Sequence, residues 1–314
     1  MIFVLLKFSG GDICIVDDLL VDQMVKKVTP RYNFFNFEIN IVDHCNLNCR
    51  CCDHYSPLVK EKNFLSLEDF DKQLKRIQNL FGSDEEKCHI QIQFTGGEPT
   101  LHPDLPDFMC LARKYFPEGH VGLVTNAIKL LDWEHNDKGN LWKVMEENKI
   151  FLMVTTYPLK LNFELLDKKA KEYNLQYVRF SDIGNTDTYL NNIDDPSKII
   201  KKSTNHIFSL NGEKPLPFEF LSCYQFNESG CLKDGKIYQC PLTAHLNYFN
   251  NFYNTNLTLC EKDYIDIFKV NNAKEIVDFY SNPTPFCKNC LIKKRYVTDY
   301  AVSKRDISEW AQVE

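Results

Sequence analysis

Three closely spaced cysteines in one loop place the strongest constraint on what this chain can fold into. Residues 41–58 read IVDHCNLNCRCCDHYSPL, in which Cys45, Cys49 and Cys52 form the pattern C-x3-C-x2-C. Thiolates are the usual protein ligands of iron–sulfur clusters. Three of them can hold three corners of a four-iron cluster and leave the fourth iron open, and an open coordination position is typical of catalytic metal sites. The loop therefore predicts a catalytic cluster.

Composition and charge narrow the class of protein. The chain has 314 residues, 44% of them hydrophobic, and a net charge of −6, which predicts one large domain and a smaller one. The densest basic cluster, Lys293-Lys294-Arg295, is interpreted as solvent-exposed surface, so nucleic acid is not a predicted partner. No stretch has the length of a membrane span, and the N-terminus lacks a signal-peptide pattern. We therefore predict a cytoplasmic protein whose thirteen cysteines serve metal or redox chemistry rather than disulfides.

The hydrophobic pattern after the cysteine loop alternates between strands and helices. Alternation over Phe35–Val42 predicts a strand, helical spacing over Leu67–Phe81 predicts a helix, and the same rhythm continues to Phe180. This order predicts a parallel sheet with helices outside it and functional loops at the C-terminal ends of the strands. Asn205–Leu210 is the candidate for a last strand.

The same pattern divides the chain into three parts. Residues 1–34 are predicted to form an N-terminal β-hairpin extension, residues 35–215 the strand–helix unit, and residues 216–314 a small cysteine-rich domain. A final helix over Val302–Trp310 is expected to dock back on the fold, with Trp310 as its apolar anchor.

A second motif follows the strand that ends at Phe94, where the chain reads Thr95-Gly96-Gly97-Glu98-Pro99. Paired glycines let a backbone approach a ligand closely, and Glu98 offers an acceptor for an ammonium group. Together with the cysteine loop, this turn resembles the radical S-adenosylmethionine (SAM) enzymes, whose C-x3-C-x2-C signature follows the first strand of a partial barrel. The residue before the third cysteine is usually aromatic in that family but is Cys51 here, which leaves Cys51 as an alternative ligand to Cys52.

The resemblance implies an α/β fold, a partial (β/α)6 TIM-type barrel, and two cofactors. A [4Fe–4S] cluster is expected on Cys45, Cys49 and Cys52, and SAM on its open iron. The family binds SAM through residues that correspond here to Gly96, Gly97, Glu98, Thr125, Asn126 and Thr155. The last three, taken alone, are also compatible with plain strand caps. In this family a flavodoxin- or ferredoxin-type donor supplies one electron, SAM is cleaved, and the resulting 5′-deoxyadenosyl radical abstracts a hydrogen atom from the substrate.

A second set of cysteines lies in the C-terminal part of the chain. Cys223, Cys240, Cys287 and Cys290 resemble the twitch module, a short form of the SPASM domain, which carries an auxiliary [4Fe–4S] cluster that accepts an electron from a substrate radical. A zinc knuckle is the alternative, because paired cysteines at this spacing also suit zinc. Cys231 and Cys260 are then left over. Each is interpreted as inert, as a substitute ligand, or as a hydrogen-atom donor to a substrate radical.

The predicted function is radical oxidation (dehydrogenation) or epimerisation at one carbon of a small polar substrate, sugar-like or aminoglycoside-like. The first alternative is a maturase of a ribosomally made peptide. The sequence before Phe35 has no room for the leader-binding domain that many maturases carry, which favours the small molecule. The second alternative is an iron–sulfur electron carrier or zinc-stabilised scaffold. The turn Gly96–Glu98 argues against it, because a carrier needs no pocket for the SAM amino group.

Overall fold

The structure is a computed structural model, which describes residues 3–7, 13–17, 28, 35–82, 90–135, 139–180, 202–211, 219–223, 225–227 and 229–312. Strand β1 (Phe3–Lys7) pairs antiparallel with β2 (Ile13–Asp17), as the predicted N-terminal hairpin requires. Most of the polar stretch between residues 181 and 216 lies outside the described residues.

Parallel strands and helices alternate through the middle of the chain, as predicted. Neighbouring strands in the sheet follow one another in chain order from β3 to β7, and helices α1, α2, α3 and α4 lie between them in sequence. The strands are β3 (Phe35–Val42), β4 (Ile90–Gly96), β5 (His120–Thr125), β6 (Phe151–Thr155) and β7 (Tyr177–Phe180). The helices are α1 (Leu67–Phe81), α2 (Leu105–Tyr115), α3 (Leu141–Glu147) and α4 (Phe163–Glu172).

Helix α1 shows how local sequence sets these boundaries. The Ser66 hydroxyl caps the N-terminus by accepting a hydrogen bond from the Asp69 N–H at 3.0 Å. The buried side chains of Phe70, Leu74 and Ile77 recur at helical spacing, so one face of the helix packs on the sheet. The helix ends at Gly82, whose φ of 65° suits glycine.

The two faces of the sheet have different chemical character. Because side chains alternate along a strand, Phe37 and Ile39 of β3 enter the hydrophobic core shared with the helices. Glu38 and Asn40 lie on the opposite face. This second face, here called the inner face, is polar where the core face is apolar.

The C-terminal part extends the same sheet. Strand β10 (Gly230–Lys233) pairs parallel with β3, and β11 (Lys236–Tyr238) and β12 (Tyr264–Asp266) add antiparallel strands beyond it. The sixth parallel strand is therefore β10, beside β3. The predicted last strand at Asn205–Leu210 is wrong, because β8 (Lys202–Asn205) pairs with β13 (Tyr296–Asp299) and β9 (Phe208–Ser209) pairs with β14 (Ala311–Gln312) outside that sheet.

Short helices complete the described chain. The remaining α-helices are α5 (Pro241–Ala244), α6 (Leu246–Tyr253) and α7 (Ala273–Tyr280). The 3-10 helices span Ser56–Leu58, Pro99–Leu101, Leu130–His135, Glu219–Ser222, Pro285–Asn289, Ile292–Lys294 and Ile307–Glu309.

The predicted helix over Val302–Trp310 is wrong. Val302 instead forms an antiparallel bridge with Cys49, so its backbone is extended and only Ile307–Glu309 makes a 3-10 turn. A backbone that pairs with a distant segment cannot make the local bonds of a helix. Trp310 is nevertheless fully buried, with its ring centroid 5.9 Å from that of Tyr55.

The predicted α/β class with a partial parallel barrel is confirmed, and among the described residues the sheet does not close on itself. The sheet runs across residue 215, and the division of the chain at that point stays a prediction. No helix in the described part of the chain combines the length and apolar character that a bilayer crossing demands.

Candidate active site

The first cysteine site, defined as Cys45, Cys49 and Cys52, follows the C-terminal end of β3. Burial raises the pKa of the Cys45 thiol well above its usual value, and the Glu98 carboxylate and the other two thiols raise it further. Burial also raises the pKa of Cys52 to about 12. The three thiols are close enough to influence one another electrostatically. A metal centre suits this set, because its positive charge displaces the protons that burial otherwise retains.

The spacing of these sulfurs does not suit a single zinc ion. The three sulfur atoms are not all within 4.8 Å of one another. Zinc–sulfur bonds of about 2.3 Å in a tetrahedron hold the sulfurs only about 3.8 Å apart. Cys52 does lie within 4.8 Å of ligand atoms of Asp53 and His54, a grouping of three consecutive residues that the sequence analysis did not single out.

Cys51 lies apart from this site. Its backbone has a φ of 60°, and its buried sulfur accepts a hydrogen bond from the Asn205 side-chain amide at 3.6 Å. The same amide contacts the carbonyl oxygen of Glu309 at 3.2 Å. Burial raises the pKa of Cys51 to about 11. The thiol is thus engaged by Asn205, which favours Cys52 as the third ligand.

The paired glycines allow a close backbone contact that the sequence did not predict. A Cβ on Gly96 would meet the Val42 carbonyl oxygen at 2.2 Å, and one on Gly97 would meet the His44 carbonyl oxygen at 1.9 Å. The Gly97 N–H donates to the Val42 oxygen at 2.7 Å, and the Glu98 N–H donates to the His44 oxygen at 3.1 Å. The glycines therefore let the end of β4 pack against the backbone of the cysteine loop. Their contact with SAM stays a prediction.

Glu98 is almost fully buried and joins the ends of strands β4 and β5. Its Oε1 accepts hydrogen bonds from the hydroxyls of Thr100 and Thr125, both at 2.5 Å. Its Oε2 accepts from the Asn126 N–H at 2.8 Å. Burial raises the pKa of this carboxyl group, and the hydrogen bonds from Asn126, Thr100 and Thr125 oppose that shift. Oε1 also accepts from the Thr100 N–H at 3.1 Å, whereas Oε2 has one donor among the described residues, so Oε2 retains a lone pair for the predicted ammonium.

Asn126 links the turn to the cysteine loop. Its side-chain amide donates to the Asn46 side-chain oxygen at 2.7 Å and to the Cys45 sulfur at 3.7 Å. Thr155, the third predicted SAM contact in this group, is buried at the end of β6. The neighbouring Thr156 hydroxyl is also buried and has no hydrogen-bond partner in the described part of the chain. The predicted SAM contacts thus all lie at the C-terminal ends of parallel strands.

A C-terminal segment, residues 296–310, covers the cysteine loop and is here called the strap. The Arg50 N–H donates to the Ala301 oxygen at 2.9 Å, and the Ser303 N–H donates to the Asn48 oxygen at 2.8 Å. Trp310 Nε1–H donates to the Cys52 carbonyl oxygen at 2.8 Å. Sequence reasoning missed this arrangement, because no motif in the strap indicates its partner.

Two tyrosines contact Cys49 from separate parts of the chain. The Tyr157 and Tyr300 hydroxyls both hydrogen-bond the Cys49 thiol, and their rings meet edge to face with centroids 5.3 Å apart. Burial raises the pKa of both phenols, and the neighbouring Cys49 adds to the shift. Both hydroxyls therefore stay protonated and available as donors to a thiolate sulfur.

The second cysteine site, defined as Cys223, Cys240, Cys287 and Cys290, surrounds one cavity, which Asp53, His206 and Arg295 also line. Burial raises the pKa of Cys240 to about 12, and Cys287 and Cys223 contribute to the shift. Arg295 Nη1–H donates to the Cys223 sulfur at 3.5 Å. No three of the four sulfurs lie within 4.8 Å of one another, a wider spacing than a zinc site has. Four thiols around one cavity, of which Cys290 is buried and the other three are half-buried, suit a cluster of thiolate ligands beside a guanidinium group.

The two cysteine sites adjoin. Asp53 follows Cys52 directly in the sequence and also lines the cavity of the second site. One residue thus follows a predicted ligand of the first site and lines the cavity of the second.

The two leftover cysteines have different environments. Cys231 is buried on β10 at the inner face, where its sulfur accepts a hydrogen bond from the Asn40 side-chain amide. The Asn40 side-chain oxygen lies 3.2 Å from the position of a Cβ built on Gly96. Cys260 is exposed, and its N–H donates to Asp263 at 2.8 Å. Cys231 thus lies next to the Gly-Gly-Glu turn, whereas Cys260 lies at the surface and is not brought to it.

Comparison with known proteins supports the site at the level of family. Residues 39–138 match the family model described as Radical SAM superfamily. A 7,8-dihydro-6-hydroxymethylpterin dimethyltransferase of Methanocaldococcus jannaschii is 38% identical over 95 residues, which are 29% of this chain and 17% of that protein. A GTP 3′,8-cyclase of Cronobacter sakazakii is 30% identical over 112 residues, 34% of this chain and 32% of that protein. The matches thus span less than a third of either relative.

Among solved structures, BtrN in complex with AdoMet and 2-DOIA superimposes with a TM-score of 0.48 at 15% identity, covering 82% of this chain and 93% of BtrN. Residues 39–138 hold both the first cysteine site and the Gly-Gly-Glu turn. On that match residues 39–138 are a radical SAM region, and the first cysteine site and the Gly-Gly-Glu turn would hold the [4Fe–4S] cluster and SAM of that superfamily.

Proposed function

We propose that this enzyme oxidises or epimerises one carbon of a small polar substrate, such as an amino sugar or cyclitol, held on the inner face of the sheet. When bound, the cluster and SAM supply a 5′-deoxyadenosyl radical that can remove a hydrogen atom from carbon. The observation that carries the proposal is the polar inner face beside the Gly-Gly-Glu turn.

The inner face offers hydrogen-bond acceptors in a protected position. Asn40 is buried, and its side-chain oxygen has no hydrogen-bond partner among the described residues. The Asn36 side-chain oxygen on the same strand is likewise without one. Glu38 lies between them, and burial raises the pKa of its carboxyl group. Buried acceptors of this kind are costly unless a ligand supplies donors, which hydroxyl or amino groups of a polar substrate provide.

The neighbouring strand continues the polar face. Gln91 and Gln93 of β4 are half-buried, whereas Ile90, Ile92 and Phe94 between and beside them are fully buried in the core. Carboxamide side chains both donate and accept hydrogen bonds. The face therefore suits a ligand with several hydroxyl groups better than an apolar one.

Two features bear on the outcome of the reaction. Burial raises the pKa of Cys231 well above its usual value, so this residue keeps its S–H and can give a hydrogen atom to a substrate radical, which yields an epimer. The second cysteine site, as a twitch-type auxiliary cluster, would instead supply an acceptor for the substrate electron and yield a carbonyl product. We favour Cys231 over Cys260 as the hydrogen donor because only Cys231 is on the inner face.

Anaerobic reconstitution and substrate trials test this function. We expect about eight irons per chain and formation of 5′-deoxyadenosine from SAM with dithionite as reductant. A panel of carbon-deuterated amino sugars, cyclitols and short peptides is then added, and 5′-deoxyadenosine is examined for deuterium. Deuterium from a sugar or cyclitol supports the proposal. Deuterium from peptides alone contradicts the substrate class, and the absence of SAM cleavage contradicts the reaction.

A further inference from the structure

The second cysteine site has a permanent positive charge beside its sulfur atoms. Among the described residues that line its cavity, Arg295 alone is a lysine or arginine. Its Nη1–H donates to the Cys223 sulfur at 3.5 Å. Burial raises the pKa of the Cys290 thiol, and the Arg295 charge opposes that rise. A guanidinium group that stays charged thus contacts one predicted cluster ligand and acts on a second.

The backbone holds Arg295 at this cavity. The residue directly follows the 3-10 helix Ile292–Lys294, and its N–H donates to the Ile292 carbonyl oxygen at 3.2 Å. That turn is itself fixed to a distant segment, because the Leu291 N–H donates to the Ile207 oxygen at 2.9 Å. The Arg295 side chain is half-buried. Its contact with Cys223 is therefore part of the folded structure rather than a chance contact of a solvent-exposed side chain.

Two acidic groups near the site are bound by other donors. Asp53 lines the cavity, and its carboxylate lies 2.9 Å from the His54 ring nitrogen Nδ1. The Asp263 carboxylate, which acts on one thiol of this site, accepts hydrogen bonds from the Cys260 N–H at 2.8 Å and the Phe286 N–H at 2.6 Å. These donors offset part of the negative charge that opposes the guanidinium group.

The cavity wall decides how strongly these charges act. Apolar side chains form much of it, among them Phe220, Phe226, Leu242 and Ile292. Such surroundings disfavour added negative charge, and a thiolate-bound cluster gains one negative charge when it is reduced, so burial alone lowers the reduction potential. The same low dielectric strengthens the attraction of a contacting cation. Local charge and hydrogen bonds to the sulfurs are among the features that set the potential of an iron–sulfur cluster.

We propose that Arg295 raises the reduction potential of the second cysteine site and so makes it a better electron acceptor. The proposal rests on the auxiliary cluster of the proposed function, because only a redox site has a potential to raise. A hydrogen bond from a cation strengthens as the sulfur it contacts gains negative charge. The reduced state is therefore stabilised more than the oxidised one, with no change in the protonation of Arg295.

The consequence for the reaction is a preference for oxidation. In that step the substrate radical loses one electron and its hydroxyl proton and becomes a carbonyl compound. The electron passes to the second cysteine site, and the proton passes to water. A higher potential at the second site favours this transfer over hydrogen donation by Cys231, which yields the epimer.

The test compares the reconstituted full-length protein with the variant R295Q. Anaerobic redox titration followed by electron paramagnetic resonance gives the midpoint potential of the second site, and the variant C45A/C49A/C52A, which retains only that site, identifies its signal. We expect R295Q to lower the midpoint potential by about 59 mV or more, which corresponds to a change of about tenfold in the one-electron equilibrium. R295K keeps the charge but lacks the guanidinium fork, so its potential should fall by less.

The matched control is K294Q, which removes the same charge one residue away. The Lys294 side chain is exposed, and its Nζ–H donates to the Gln312 side-chain oxygen at 2.6 Å. Solvent screens a charge in that position, so the one-electron equilibrium should change by less than about twofold. An unchanged potential in R295Q, or an equal shift in K294Q, overturns the proposal.

Metal content and SAM cleavage keep this test separate from that of the proposed function. The titration needs neither SAM nor substrate, so wild-type protein that fails to cleave SAM contradicts the proposed function and leaves the result for Arg295 standing. Zinc in the wild-type second site has no reduction step and overturns the proposal, whether or not the first site cleaves SAM. If R295Q loses iron, R295M takes its place, because methionine keeps much of the side-chain length without the charge. A lower potential in R295M at full iron content supports the proposal, and an unchanged one contradicts it.

Discussion

Trp310 donates a hydrogen bond to the carbonyl oxygen of Cys52 at 2.8 Å, across 258 residues of sequence. The indole is fully buried, with its ring centroid 5.9 Å from that of Tyr55 and 6.3 Å from that of Tyr253. The backbone of a predicted cluster ligand is thus held by a residue of the strap.

Replacing Trp310 with Phe should therefore weaken both the fold and the grip on iron. The Cys52 carbonyl loses its donor and a small cavity opens, so we expect the free energy of unfolding to fall by about 2–4 kcal/mol. Urea unfolding measures the first effect, and the rate of iron loss to a chelator measures the second. Trp133→Phe is the matched control. Its buried indole donates a hydrogen bond of 3.1 Å to the Thr100 carbonyl oxygen rather than to the cysteine loop. Equal iron loss in both variants would contradict the role of Trp310.

Single replacements in the cysteine loop should separate Cys51 from the ligands. Cys45→Ala, Cys49→Ala and Cys52→Ala each remove a thiolate from the first site, so SAM cleavage should be lost. Cys51→Ala should retain cleavage, because the Cys51 sulfur contacts Asn205 instead. The production of 5′-deoxyadenosine with dithionite decides the matter. Cleavage that persists in Cys52→Ala and disappears in Cys51→Ala would reverse the assignment.

The second cysteine site should be removable without loss of the first. In the double variant Cys223→Ala/Cys240→Ala we expect bound iron to fall from about eight to about four per chain. SAM cleavage should continue, while formation of an oxidised product stops. Metal analysis and product assays check both. Stoichiometric zinc in the wild-type site, with unchanged iron in the variant, would show that the site is a zinc knuckle.

Solvent deuterium distinguishes epimerisation from oxidation. A thiol proton exchanges with solvent, so hydrogen donation by Cys231 in D2O should place deuterium on the substrate carbon. Cys231→Ala should abolish that incorporation, whereas Cys260→Ala should leave it unchanged because Cys260 is exposed away from the inner face. Mass spectrometry of the recovered substrate gives the result. A carbonyl product without carbon-bound deuterium favours oxidation instead.

His245 should make stability depend on pH. Burial lowers the pKa of this imidazole well below its usual value, and Lys233 and His54 lower it further. The unfolded chain takes up a proton near pH 6.5 while the folded chain does not. The free energy of unfolding should therefore be greatest above that pH. It should fall by up to about 1.4 kcal/mol per pH unit below it.

The variant His245→Phe isolates this contribution. Neither ring nitrogen of His245 has a hydrogen-bond partner among the described residues, so a phenyl ring can occupy the same space. Urea unfolding of both proteins at about pH 7.5 and pH 5.5 should give a smaller decrease in the variant. Equal decreases would mean that other groups account for the pH dependence.

Local patterns predicted the strands and helices between Phe35 and Phe180 and the position of the Gly-Gly-Glu turn. Alternation in β3 and helical spacing in α1 reflect burial on one face of each element, which nearby residues determine. The purpose of Gly96 and Gly97 could not be predicted in the same way. Their missing Cβ atoms make room for the carbonyl oxygens of Val42 and His44, which is a tertiary contact.

The strap was predicted wrongly because its structure depends on a distant partner. Val302 to Trp310 was predicted to be a helix, but the backbone of Ala301, Val302 and Ser303 pairs with that of Arg50, Cys49 and Asn48. The choice of β10 as the sixth parallel strand has the same origin, since a short strand gains its place from the neighbour it pairs with. Sequence patterns contain little information about such pairings.

The position of the strap also constrains the order of events during synthesis. The ribosome makes the cysteine loop early, but the Trp310 bond and the Val302 bridge need residues that are added some 258 positions later. A nascent chain that already exposes Cys45, Cys49 and Cys52 lacks the segment that covers them. The covered form of the first cysteine site therefore exists only after residue 310 has been synthesised.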